Sequence, residues 1–248
     1  MRVDGLFGVQ GLTPADTQGR IVAVIDVLRA STSIAIALAN GARAVIPFES
    51  SEEAVLRAKQ FERSEVRLAG ERKMKPIAGF DFGNSPGEFT REAVEGKTIL
   101  FTTTNGSGAL VASQGARDVL VASYVNFSVT LAMLRAGLRG GTEVTIICAG
   151  RDRQFSLEDA ACAGRYVRHI TKRLANIQLN DAARASTLLD GRYRDDIRRL
   201  FEDATHGAAL VEAGYGEDLT TCAAVDSCPV VPIYADRQIT KLGPERER

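Results

Sequence analysis

Six short apolar runs rich in valine and isoleucine, most separated from the next by a helical pattern, leave this chain few folds to adopt. They cover residues 21–28, 44–48, 66–69, 98–103, 119–123 and 144–148. Several are apolar at every position, as strands must be when both faces of a parallel sheet are covered. Helical patterns span 31–40, 52–61, 106–114, 127–136 and 157–174. The second opens with a capping box, Ser50 followed by Glu53, and Asn40-Gly41 and Ala136-Gly137 read as helix stops. This alternation predicts an α/β protein, three-layer α/β/α, with a mostly parallel, doubly covered sheet. From residue 180 onward helical patterns dominate, at 181–189 and 194–213, giving a helix-rich C-terminal third. A last apolar run, 230–234, follows Pro229 and reads as an added edge strand, and the charged tail from Gly243 reads as frayed. A chain of 248 residues can bury the core of one such domain, with sub-lobes at 1–175 and 176–248.

Composition narrows the function. Equal numbers of basic and acidic side chains, 31 of each, give a formal charge of zero. That provides no global basic field of the kind nucleic-acid binding uses. The four cysteines lack CxxC spacing and only two histidines are present, which argues against zinc and for reduced thiols. There is no apolar leader and no run of about 18 apolar residues. The expectation is a cytoplasmic protein with neither membrane nor nucleic acid as partner. Self-association into a homo-oligomer is left open.

Polar, glycine-rich clusters follow four of the strands, and ligands of open parallel sheets bind beyond the strands' carboxyl ends. The first cluster, Asp26-Val-Leu-Arg29-Ala-Ser31-Thr32, joins a strand to a helix start. It combines a guanidinium and hydroxyls with free helical N–H groups, which suit an anion, and a carboxylate, which suits a divalent cation. The others are Gly70-Glu71-Arg72, Thr104-Asn105-Gly106-Ser107, and Ala149-Gly150-Arg151. The third reads equally as a phosphate nest or as a plain turn with a helix cap. Glu158 and Asp159 open the next helix, as dipole partners or as further ligands of Mg²⁺ beside Asp26. His206 lies late in its helical stretch, where it could cap a helix end or donate a proton to a leaving oxygen. The spacing Cys162-x₅-Arg168 matches the thiolate phosphatases, but it lies inside an amphipathic helix with no glycine-rich loop and is rejected. The segment from Gly70 to Thr90 is the one long loop, of a length usually functional or mobile.

Taken in order, Asp26-Val-Leu-Arg-Ala-Ser-Thr32, Gly70-Glu-Arg72, Gly79-Phe-Asp-Phe-Gly-Asn-Ser-Pro86, Thr102-Thr-Thr-Asn-Gly106, Cys148-Ala-Gly150 with Phe155-Ser-Leu-Glu-Asp159, and Thr205-His-Gly207 resemble the 2-phosphosulfolactate phosphatase family. The resemblance runs from about residue 21 to 231. It implies a Mg²⁺-dependent phosphoric monoester hydrolase that releases phosphate from 2-phosphosulfolactate to leave 3-sulfolactate, a step of coenzyme M biosynthesis in methanogens. It also implies the three-layer fold. On that basis Asp26, Arg29 and His206 are the catalytic candidates. Ser31, Thr32, Arg72, Asn84, Ser85, Thr104, Asn105, Gly106 and Arg151 would bind substrate, and Asp26, Glu158 and Asp159 would hold Mg²⁺. Lys73-Met-Lys75 replaces a more glycine-rich stretch near the substrate loop. Whether Asp26 is metal ligand or nucleophile stays open. The alternatives are a phosphatase for another small phosphorylated acid, or a non-catalytic anion-binding module.

Overall fold

The computed structural model describes residues 1–104, 106–152 and 154–243. In chain order the elements are β1 (Arg2–Leu6), α1 (Pro14–Thr17), β2 (Ile21–Ile25), α2 (Ala30–Ala39), β3 (Ala44–Phe48), α3 (Ser51–Ala58), β4 (Val66–Arg72), β5 (Lys75–Pro76), a 3₁₀ turn (Pro86–Glu88), α4 (Arg91–Val94), β6 (Thr98–Thr102), α5 (Gly106–Ala112), β7 (Asp118–Ala122), α6 (Phe127–Arg139), β8 (Val144–Cys148), α7 (Leu157–Thr171), β9 (Gln178–Leu179), α8 (Asp181–Tyr193), α9 (Ile197–Asp203), α10 (Thr205–Glu212), α11 (Gly216–Ala223), β10 (Pro232–Ala235) and β11 (Gln238–Lys241). The α/β class read from the sequence is the class observed.

Local chemistry explains most boundaries. Ser50 Oγ accepts from Glu53 N–H at the start of α3, and Asn180 Oδ1 accepts from Ala183 N–H at the start of α8. Helix α2 stops at Asn40-Gly41 as expected, with Ala42 N–H closing back on Ala37 O. The stop expected at Ala136-Gly137 does not occur: α6 runs on to Arg139. Gly137 is there for packing, because a Cβ on it would lie 2.0 Å from Ile21 Cδ1 of the strand beneath.

Among the described residues the strands form one sheet in the order β5-β4-β6-β3-β11-β10-β7-β2-β8-β1-β9. Strand β2 shows why its sequence is apolar throughout. Ile21, Ala23 and Ile25 join the core on the α6 and α7 side, while Val22 and Val24 join the core beneath α2 and α5. All five are buried, so both faces are covered.

The sheet is mixed, and the reason lies at the end of the chain. β10 and β11 form a hairpin, with Asp236 and Arg237 both at positive φ in its two-residue turn. It pairs antiparallel to β7 on one side and to β3 on the other, at the centre of the sheet. The run read as an edge strand is therefore interior. Three antiparallel joins in succession also make the block β7-β2-β8-β1-β9 run opposite to the block β3-β6-β4. A twist of about 20–25° per strand accumulates to roughly 100° over the five steps from β2 to β6. That rotation lets the carboxyl ends of two opposed blocks face one pocket. No helix among the described residues is long and apolar enough to cross a membrane.

Candidate active site

Register sets the frame. Ile25 pairs with Ala122 and Cys148, so β2, β7 and β8 end level and the turns at 26–29 and 149–152 emerge side by side. In the other block Thr102 pairs with both Phe48 and Gly70. Between the two sets of strand ends lies a pocket of about 280 Å³, at the small end of ligand cavities. Asp26, Arg29, Arg151 and His206 line it from one side, and Glu71, Lys73, Asn84, Thr103 and Thr104 from the other.

The turn after β2 is closed by its own hydroxyls. Asp26 N–H donates to Ser31 Oγ (2.8 Å), Ser31 N–H donates to Asp26 O (2.8 Å), and Thr32 Oγ1 donates to Val27 O (3.0 Å). Ser31 and Thr32, expected to touch substrate, are spent holding the turn and do not line the pocket. What that turn presents is Asp26 and Arg29. Burial pushes the Asp26 carboxyl up to about 6, with Glu71 and Glu158 adding to the rise and His206 opposing it. Arg29 is buried, its Nη1 2.6 Å from Asp218 Oδ2 and its Cζ 4.4 Å from the centre of the Tyr215 ring. Ser85 Oγ donates to the other oxygen of Asp218 at 2.6 Å.

Two further buried carboxylates tie loops together. Asp159 Oδ1 accepts from Val27 N–H (2.9 Å) and Oδ2 from Gly150 N–H (3.2 Å), fastening the turn after β2 to the turn after β8. Burial, followed by Asp26 and Glu158, holds the Asp159 carboxyl well above the usual range. Glu71 Oε2 accepts from Met74 N–H, and Oε1 from Thr104 N–H and Oγ1, joining the β4–β5 hairpin to the turn after β6. Against these spent groups stand two that are not. Asn84 Oδ1 and Thr103 Oγ1 are buried, line the pocket and have no partner among the described residues.

His206 does not lie late in a helix or at its C-terminal end. The stretch expected as one helix over 194–213 breaks at Ala204, and His206 sits in the first turn of α10. The break lets α10 lie close on α9: a Cβ on Gly207 would meet Phe201 O at 1.8 Å. His206 Nδ1 stands 3.4 Å from Glu158 Oε1. These two and Arg151 also border a smaller adjoining cleft.

The remaining candidates divide. Arg151 and Thr104 face the pocket as expected. Asn105 lies outside the described residues, and Gly106 opens α5. Arg72 turns away, donating to Glu49 O, Glu71 O and Thr102 Oγ1. Side chains alternate along a strand, and β4 extends to Arg72, so Glu71 faces the pocket where Arg72 was expected. Lys73 and Asp218 were not singled out as site residues. Lys73 enters through the hairpin turn after Arg72, and Asp218, in an acidic first turn of α11, carries no local sequence signal.

No three His, Cys, Asp or Glu side chains among the described residues converge to hold a metal ion unaided. The triad Asp26, Glu158 and Asp159 is thus not assembled, because Asp159 uses both oxygens on backbone N–H groups. Asp26 and Glu158 still fit Mg²⁺, which takes one or two carboxylates and completes its shell with water and phosphate oxygens. Burial, then Glu71 and to a lesser degree Glu158, raise the Asp26 carboxyl, a penalty a cation would relieve.

Comparison with known proteins identifies the family. The family model described as 2-phosphosulpholactate phosphatase matches residues 8–237. A probable 2-phosphosulfolactate phosphatase of Symbiobacterium thermophilum is 40% identical over 224 residues, covering 90% of this chain and 95% of the relative. One from Caldanaerobacter subterraneus subsp. tengcongensis is 39% identical over 217 residues, 88% of each chain. One from Clostridium acetobutylicum is 33% identical over 239 residues, covering 96% of this chain and 100% of the relative. With a family model matched over residues 8–237 and relatives up to 40% identical over most of its length, the chain belongs to the 2-phosphosulpholactate phosphatase family.

Proposed function

We propose that this pocket hydrolyses the phosphate monoester of a small polyanionic acid, with 2-phosphosulfolactate as substrate and 3-sulfolactate and inorganic phosphate as products. The observation that carries the reading is a buried carboxylate, Asp26, set beside a buried guanidinium, Arg29, in a small pocket that also holds Lys73 and Arg151. A chain with no net charge has gathered three cations at one place. Guanidinium and ammonium groups suit the phosphate, sulfonate and carboxylate of such a substrate. A site built only to bind anions would not place Asp26, Glu71 and Glu158 so near. Carboxylates there suit Mg²⁺-assisted phosphoryl transfer.

In this reading Asp26 and Glu158 hold Mg²⁺, which when bound supplies positive charge against the phosphoryl oxygens. Arg29 orients the phosphoryl group and neutralises charge that grows on it in the transition state. Lys73 and Arg151 take the acid groups that do not react. The unpartnered Thr103 Oγ1 can donate to a substrate oxygen, and the unpartnered Asn84 Oδ1 can accept from the attacking water. His206, its Nδ1 steered by Glu158, holds a proton at Nε2 and delivers it to the leaving oxygen as the P–O bond breaks. The unpaired cysteines accord with action in a reducing cytoplasm. In a cell that makes coenzyme M, this is the dephosphorylation step of that synthesis.

The test is phosphate release by the purified protein from 2-phosphosulfolactate and from a panel of small phosphorylated acids, each with Mg²⁺ and with EDTA. Turnover of 2-phosphosulfolactate above the panel, abolished by EDTA, is the expected result. Preference for another acid would move the substrate, and tight binding with no turnover would make the protein an anion-binding module.

A further inference from the structure

We infer that Asp218 is a positioning residue that fixes the Arg29 guanidinium in the pocket wall, a role that rests on the reading of Arg29 given above. Three segments far apart in sequence meet at its carboxylate. Arg29 Nη1 donates to Oδ2 at 2.6 Å across 189 positions, and Ser85 Oγ donates to Oδ1 at 2.6 Å across 133. Both carboxylate oxygens are therefore engaged. The Arg29 and Asp218 side chains are only 3% and 8% exposed, so water does not compete for the pair.

The carboxylate is itself held. Glu88 accepts from Gly83 N–H and Ser85 N–H, both at 3.0 Å, stiffening the loop that presents the Ser85 hydroxyl. The same loop carries Asn84, whose carbonyl oxygen accepts from Ser33 Oγ at 2.8 Å. Tyr215, three residues before Asp218, supplies the ring against which the guanidinium lies. One contact sets the plane of the guanidinium and the other its rotation within that plane.

Charge alone does not explain this arrangement. A carboxylate against Arg29 lowers the net positive charge offered to a phosphate, which weakens attraction. Geometry is the gain: a guanidinium that cannot rotate needs no reorganisation as charge develops in the transition state. Displacement of such a group by about 1 Å can lower a rate roughly 100-fold. Asp218 does not line the pocket and touches no reacting atom; it acts through Arg29.

The experiment is a double-mutant cycle of Arg29→Ala and Asp218→Asn, read as kcat and KM for phosphate release from 2-phosphosulfolactate. Asp218→Asn is expected to lower kcat roughly 100-fold with little change in KM, and to add nothing in the Arg29→Ala background. Added guanidinium ion should restore turnover to Arg29→Ala but not to the double variant, which lacks the carboxylate that would dock it. Losses that multiply, or rescue equal in both variants, would overturn the inference. Should Asp218→Asn fail to fold, Ser85→Ala frees Oδ1 and must lower kcat in the same direction, again without effect on Arg29→Ala; a wild-type kcat there would also overturn it. If the wild type turns over no phosphate ester, the functional reading fails. Asp218 is then judged by affinity for inorganic phosphate, which Asp218→Asn should change in the wild-type background and leave unchanged in the Arg29→Ala background. Independent losses of affinity, or no phosphate binding by the wild type, count against it.

Discussion

Replacing Asp26 by Asn should make the metal-free protein more stable while removing its activity. The folded state raises this carboxyl from 3.8 to about 6, and a rise of two units corresponds to about 3 kcal/mol. The sign follows from proton binding. The folded protein holds the Asp26 proton more tightly than the unfolded chain does, so ionising it above pH 6 is a cost carried only by the folded state. That cost begins to fade as pH falls through about 6, shrinks down to the unfolded value of 3.8 and is gone about a unit below it, where both states are protonated. An amide fills the same volume without the charge. For a chain of this size each kcal/mol moves Tm by about 2–4 °C, so Asp26→Asn should melt roughly 6–12 °C higher in EDTA at pH 8, and together with the wild type at the acid end. Saturating Mg²⁺ should erase most of the gap, since metal at about 100 times Kd stabilises the wild type by about 2.7 kcal/mol. Thermal melts across pH with EDTA or Mg²⁺, beside phosphate release, measure all of this. At Mg²⁺ well below saturation the wild-type rate should fall as pH drops through 6, where the proton competes with the metal, and Asp26→Asn should lose at least about 100-fold in kcat. A lower Tm for the variant in EDTA at pH 8, or a near-wild-type rate, would refute the reasoning.

Five further variants test the roles and contacts assigned above. By calorimetric titration, Glu158→Gln should lose Mg²⁺ affinity. Asp159→Asn should keep it but lose about 1–3 kcal/mol of stability through a stranded backbone N–H. Lys73→Ala should raise KM for 2-phosphosulfolactate roughly tenfold while leaving KM for a phosphate ester without further acid groups unchanged. Arg72→Ala should lower Tm by a few degrees, for about 1 kcal/mol of lost hydrogen bonding, with KM intact. Gly207→Ala should destabilise by about 2–3 kcal/mol, because its methyl group would collide with Phe201 O; a Tm within a degree of wild type would mean α9 and α10 are not so tightly apposed.

What could be read in the sequence was whatever local periodicity encodes. The alternating partners of β2, the Ser50 cap and the stop after Asn40 are decided within a few residues, and they stand as expected. Asp26, Arg29 and Arg151 were legible because strand ends concentrate function in this class of fold. Parity was the first limit. A strand ended three residues early puts Arg72 on the pocket side in place of Glu71. Distance was the second. Nothing near Asp218 or Ser85 announces a meeting across 133 residues, and nothing near Asp159 says that two backbone N–H groups will claim its oxygens. The central place of the 232–241 hairpin is of the same kind, being fixed by partners more than a hundred residues away.

That hairpin also constrains how the molecule can be born. On a ribosome that emits about 5–20 residues per second, the strands of both blocks, from β1 through β9, are synthesised before Tyr234 and Ile239. Until then β3 and β7 each present an open, apolar edge, the kind of surface that recruits strands from other chains. The hairpin acts as a keystone: without it the molecule is two half-sheets with open margins, and with it the same two strands join the blocks and shut those margins against pairing with other chains.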